Sequence, residues 1–252
     1  SRSHIAQATE LASAGGLVNV SFIAADIAQI DSKALPDFDF ITLHGLYSWV
    51  PESVQAAIRR FLATKLKPGG VAYLSYNAMP GWGSAGTLRR FFTDHARRMT
   101  GDVLQRARQI VGQLTELRDQ GAPFFRENPT AAGILSHLQQ ADPRYIAHEY
   151  LGPSWQPRYF ADVYDEMTAI GLNFVGEGGI VENLLEHSVM PEFVAGLRQQ
   201  SNRRERESLW DFLQNRFFRR DIYVKPNPEV ADTSSDELLR QTLFGLIAAP
   251  VQ

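Results

Sequence analysis

Two short stretches carry side chains suited to handling a polar ligand beside a nucleophile. His44, Gly45, Leu46 and Tyr47 follow the apolar run Phe38-Asp39-Phe40-Ile41-Thr42-Leu43, and Tyr76 and Asn77 follow Val71-Ala72-Tyr73-Leu74-Ser75. A glycine where a strand ends lets the backbone approach a ligand closely, while an imidazole and a phenol offer polar edges. The same four residues also suit a plain strand-to-helix turn with core aromatics, and no proton-transfer partner of His44 can be named from spacing. Tyr76, Asn77, Pro80 and Trp82 make a rim with hydrogen-bonding and apolar faces, whose rings can hold an ammonium or a sulfonium. Tyr76 and Asn77 are assigned here to the crevice, and Trp82 to packing. Asp26 closes a third apolar run and can accept a hydrogen bond from a ligand's amine or hydroxyl, or cap the turn that follows.

Other chemistries lack their signatures. His148-Glu149 reads as an acid/base pair, a ligand pair or a structural contact, but the six histidines show no metal spacing, so no metal site is expected. There is no Gly-x-Ser-x-Gly elbow and no phosphate-cradling Gly-x-x-x-x-Gly-Lys loop. Zero cysteines exclude disulfides and thiolate chemistry.

The elements that must position these residues follow from periodicity. A short helix is expected over 4–13, stopped by Gly15-Gly16, then a strand over 18–23. Strand, helix and strand come next over 38–75, with Pro51 and Glu52 at the helix start and Pro68-Gly69-Gly70 as its stop. Parallel strands joined by a helix leave a crevice beyond their carboxyl ends, where open α/β sheets bind ligands. Residues 87–140 read as two or three helices broken at Gly121-Ala122-Pro123 and Asn128-Pro129, with Arg89, Arg90, Arg97, Arg98, Arg106 and Arg108 taken as a solvated face. A helix over 159–170, a strand over 172–176, mostly helix over 190–218 and a strand over 221–225 follow. A linker over 227–235 and a helix near 236–247 complete the chain.

The 252 residues are ample for one substantial core. With 25 basic and 28 acidic side chains, the net charge of −3 gives no global case for nucleic acid or an anionic membrane as partner. No apolar run approaches the roughly 20 residues that span a bilayer, and a cytoplasmic location is expected.

The motifs Asn19-Val20-Ser21-Phe22-Ile23-Ala24-Ala25-Asp26, Phe38-Asp39-Phe40-Ile41 and Leu66-Lys67-Pro68-Gly69-Gly70-Val71 resemble those of class I S-adenosylmethionine-dependent methyltransferases. More narrowly, His44-Gly45-Leu46-Tyr47-Ser48-Trp49-Val50-Pro51 and Ser75-Tyr76-Asn77-Ala78-Met79-Pro80-Gly81-Trp82 resemble the bacterial branch with a methyltransferase regulatory domain, as do Ala147-His148-Glu149-Tyr150-Leu151 and Trp155-Gln156-Pro157. Rickettsial protein-lysine methyltransferases share that branch. The resemblance implies an α/β fold with the Rossmann-like, doubly wound sheet of that class, in strand order 3-2-1-4-5-7-6. It divides the chain into a partial core over 1–85 (strands 3 to 5), a helical insertion or lid over 86–146, a regulatory-type segment over 147–226 and a tail over 227–252. S-adenosyl-L-methionine is the implied cofactor, with Asp26 facing the adenine beside Ile27. His44, Gly45 and Leu46 then line the cofactor, and His44, Tyr47, Tyr76 and Asn77 serve methyl transfer to a nitrogen or oxygen acceptor on a protein or small molecule, a protein lysine among them. A non-catalytic interaction protein on the same scaffold is the alternative. The family's strands 1 and 2, with the glycine loop and the ribose-binding acid, are expected before Ser1, leaving a sheet with a gap two strands wide in an incomplete piece of a longer protein.

Overall fold

The computed structural model describes residues 2–30, 34–152 and 154–228. The expected C-terminal helix and most of the linker before it lie outside them. Helix α1 (Arg2–Ala14) ends where Gly16 turns left-handed and its N–H, with that of Leu17, closes on the carbonyls of Ser13 and Ala12. Next come β1 (Phe38–Leu43), α2 (Glu52–Lys65), β2 (Leu66–Asn77), α3 (Trp82–Ala96), α4 (Val103–Asp119), α5 (Pro123–Glu127) and α6 (Pro129–Gln140). The chain continues through α7 (Pro143–Leu151), α8 (Phe160–Ala169), β3 (Asn173–Glu177), the single turn α9 (Leu185–Ser188), α10 (Pro191–Gln199), α11 (Arg203–Gln214) and β4 (Phe218–Val224).

The four strands make one contiguous sheet in the order β1-β2-β4-β3, with β1 parallel to β2 and the other pairs antiparallel. This is the order the resemblance gives for its fourth, fifth, seventh and sixth strands. The expected strand over 18–23 and the gap beside it are not found among the described residues. Residues 17–23 are irregular, and Val18 and Ile23 are 97% and 57% exposed. No described strand runs beside them, and a strand without a neighbour leaves its backbone donors and acceptors to water.

Pro68-Gly69-Gly70 is not the stop of α2 that the sequence predicts. The helix ends at Lys65, and Pro68-Gly69-Gly70 lies inside a bulge of β2, where the register jumps from Phe38 opposite Leu66 to Phe40 opposite Val71. Gly69, at φ +78, donates its N–H to the Lys225 carbonyl, so the three residues join the sheet to β4.

Two cores result. Alternation along β2 and β4 sends Ala72, Leu74, Tyr76 and Tyr223 to one face, where Ile58 and Leu62 of α2 and Val163 and Met167 of α8 cover them. On the opposite face Phe40 remains 72% and Val175 55% exposed, so helical cover of both faces is not found among the described residues. Helices α3 to α7 bury a core of their own, running from Trp82 and Leu88 through Ile110 and Leu135 to Tyr150. Asp102 caps α4 by accepting from Leu104 and Gln105 N–H.

Candidate functional site

The carboxyl ends of β1 and β2 meet as a rim. Tyr73, Ser75 and Asn77 alternate onto the face opposite the core, and two of them reach the turn after β1: Ser75 Oγ accepts from Gly45 N–H at 2.7 Å and lies 3.4 Å from His44 Nδ1, which is 3.3 Å from Tyr73 Oη. Gly45 sits at φ +62, a conformation that disfavours any side chain, and a Cβ built there meets no atom within 4 Å. His44 and Leu46 beside it are exposed. Asp26 accepts from Ala28 N–H through Oδ1 at 2.9 Å, the turn-capping geometry, and Ile27 packs against the sheet core.

Tyr47 and Tyr76 are placed differently from the crevice role expected of them. Both are fully buried. The Tyr47 hydroxyl donates to Glu166 Oε2 at 2.6 Å and accepts from Arg59 Nη1 at 2.9 Å. The Tyr76 hydroxyl donates to Asp221 Oδ2 at 2.7 Å, and burial pushes its pKa well up. Their oxygens are committed inward. Asn77 stays at the rim: its N–H donates to Ser48 Oγ and its carbonyl accepts from Arg158 N–H, while its side-chain Nδ2 is buried without a well-aligned acceptor.

Facing Asn77 stands the carboxylate of Glu149 on α7, 16% exposed. Burial raises its pKa, and His148, the Asn77 amide and Arg89 pull it back in part. The His148 ring packs against Trp49 at a tilt of 35°, with ring centroids 4.8 Å apart. Arg158 ties this side together by donating to Gln55 Oε1 at 2.7 Å and pairing with Glu166, while Gln55 Nε2 donates to the Tyr47 carbonyl. Among the described residues no group of three or more His, Cys, Asp or Glu could hold a metal ion.

Behind Tyr76 lies a buried ionic cluster. Arg219, 1% exposed, donates to Asp221 at 2.8 Å, Asp211 at 2.6 Å and Glu207 at 3.1 Å, with its guanidinium carbon 4.2 Å from the Phe160 ring centre. Burial opposes the Arg219 charge, and the carboxylates outweigh it. Burial also raises Asp211 to about 6, above what Arg219 and Arg216 can offset, and its Oδ2 has no partner. A carboxyl whose pKa is higher folded than unfolded adds stability below its unfolded value and loses it as pH rises through the folded one. The wild type should therefore lose stability relative to Asp211→Asn between about pH 4 and pH 6, by roughly 3 kcal/mol. Urea denaturation across that range checks it, and parallel curves for the two proteins would refute it.

A family described as "Predicted methyltransferase regulatory domain" matches residues 142–225, from the cap of α7 to the end of β4. A solved structure, PKMT2 from Rickettsia typhi in complex with AdoHcy, superposes with a TM-score of 0.76 at 27% identity, over 91% of this chain and 44% of that one. The chain is related to the S-adenosylmethionine-dependent methyltransferases. Another structure of PKMT2 from Rickettsia typhi gives a TM-score of 0.73 at 26% identity, over 94% and 44% of the two chains. In sequence, this methyltransferase-related chain is 33% identical to an uncharacterized protein of Synechocystis sp. over 245 residues, 97% of this chain and 48% of that protein. It is 29% identical to an uncharacterized protein of Rickettsia prowazekii over 222 residues, 87% of this chain and 39% of that protein. The chain thus spans about half the length of the curated relatives it matches or less.

In this methyltransferase-related chain, His44 and Gly45 meet Tyr73 and Ser75 at the ends of β1 and β2, Asn77 is tied to Ser48, Arg158 and Glu149, and Tyr47 and Tyr76 are bound to Glu166, Arg59 and Asp221. The residues that sequence reasoning missed are Ser75, which holds the Gly45 turn, and Arg219, which anchors the wall behind. Alternation along β2 could have found the first, since Ser75 falls on the face opposite Leu74 and Tyr76. Nothing in the local pattern marks Arg219 as buried.

Proposed function

We propose that the chain supplies the methyl-transfer side of an S-adenosylmethionine site, in an enzyme whose acceptor is a nitrogen or oxygen nucleophile and in the first instance a protein lysine. The observation that carries this reading is the left-handed Gly45, with open space over its α carbon, between the exposed His44 and Leu46. A cofactor can approach the backbone there without displacing protein atoms. The complex of a similar protein with AdoHcy supports the same assignment.

When bound, S-adenosylmethionine would supply a sulfonium methyl group that an acceptor lone pair attacks in line, the methyl–sulfur bond breaking and the sulfur leaving as the neutral thioether of S-adenosylhomocysteine. The chain's own residues then have separable tasks. Asp26 and Ile27 face the adenine, and His44, Gly45 and Leu46 line the reacting end. Asn77, whose amide faces the Glu149 carboxylate without a well-aligned hydrogen bond, offers that amide to the acceptor. Glu149 pairs with an acceptor ammonium, and its burial-raised pKa suits it to take the departing proton, with His44 the other candidate. Tyr47 and Tyr76 are positioning residues, acting through Glu166 and Asp221.

A second reading, a docking scaffold without catalysis, is favoured by the inward commitment of both tyrosine hydroxyls. Incubating the intact gene product with methyl-labelled S-adenosylmethionine, in separate reactions with a lysine-rich protein and with small amines, tells the readings apart. Label on protein lysines is expected. Label on small amines alone would overturn the protein acceptor, and no label on either would favour the scaffold.

A further inference from the structure

We propose that the cleft between α3, α4 and the end of α7 binds an acidic peptide segment. It has a volume of about 550 Å³ and is lined by Arg89, Arg90, Arg97 and Arg106 around Trp155 and Leu151. Two of these arginines depart from the solvated face that their helical pattern suggests. Arg89 is half-buried, donates through Nε to the Glu149 carbonyl at 3.1 Å and through Nη2 to the Gly152 carbonyl, and stacks 4.8 Å over the Trp155 ring. Arg106 donates through Nη1 to the Ala96 carbonyl at 3.0 Å, and its Nε is buried without a partner. Neither has a carboxylate within ion-pairing distance among the described residues; Arg90 and Arg97 share Asp94 and stay exposed.

Burial pulls the Arg89 pKa down, with Glu149 restoring part of it, so a positive charge is kept where the surroundings disfavour it. Backbone carbonyls fix both guanidiniums, so little side-chain freedom remains to be lost when an anion arrives. Guanidinium forks match carboxylates in two-point geometry. The apolar share of the lining, Val103, Leu151, Trp155 and Ala96, calls for a ligand with apolar side chains between its charges, which a peptide has and a bare polyanion lacks. Binding in the cleft does not depend on the methyl-transfer reading, because the contacts are complete without a cofactor.

The test is a fluorescence titration of the intact gene product, without cofactor, using a synthetic peptide of Glu, Gly and Leu and its Gln-for-Glu counterpart. Trp155 lies in the cleft, so the acidic peptide should give a saturable change in tryptophan emission that Trp155→Phe abolishes. The Gln peptide should give none. Arg89→Gln should weaken binding about tenfold or more, and the exposed Arg97→Gln, which leaves the fold untouched, by a few-fold. Equal binding of both peptides, or unchanged affinity in Arg97→Gln and Arg89→Gln with native circular dichroism, would overturn the proposal. So would tighter binding of inorganic phosphate or of a single-stranded oligonucleotide, lost in the same variants.

Discussion

Replacing Arg219 with methionine should destabilise the protein by about 3–5 kcal/mol at neutral pH, the usual consequence of removing one partner from a buried ionic cluster. Methionine fills much of the volume and keeps contact with Phe160, so the loss isolates the charge. Asp221, Asp211 and Glu207 are then left with no cation at the centre of the cluster, in a region where each is at most 5% exposed. The deficit has a pH signature. Burial already raises the pKa of Asp221 and Asp211. Without the guanidinium both rise further, and folding then favours the protonated forms. Stability of the variant should recover as pH falls toward about 4, narrowing the gap to the wild type. Denaturant melts at several pH values check this, and a deficit independent of pH would show that lost packing is the cause.

Asn77→Ala should lower kcat/KM for methyl transfer by the intact gene product about 100-fold, the scale for losing one oriented donor in a reaction site, while AdoHcy affinity stays within about twofold. Asn77 keeps its backbone links to Ser48 and Arg158 in the variant, so the fold is expected to persist. The split follows from its place on the acceptor side of the rim, where it neighbours Glu149 rather than Gly45. Equal losses in cofactor binding and turnover would move Asn77 to the cofactor side. Initial-rate kinetics alongside calorimetry gives both quantities.

The fold was legible where local chemistry decides it. Gly121-Ala122-Pro123 and Asn128-Pro129 break the helices where the sequence indicates, and the β-branched and aromatic runs at the late strands pair as β3 and β4. Residues 18–23 carry the same kind of run, yet remain unpaired, because a strand exists only with a neighbour that accepts its backbone bonds. The turn after β1 was legible at Gly45, whose left-handed conformation any residue other than glycine would resist. The candidate site was misread at Tyr76, although the two-residue period of β2 puts that ring on the face of Ala72 and Leu74 and leaves Asn77 on the other. Arg219 could not be read at all. A charged residue at the start of a strand looks like a solvent edge until α11 and α8 are packed over it.

Calorimetric titration of the intact gene product with AdoHcy tests the central claim most directly. The account predicts saturable binding that is weakened about tenfold or more by Gly45→Val, since a branched side chain both strains the left-handed turn and fills the open space above it. No heat at millimolar AdoHcy, or binding indifferent to that substitution, would contradict it.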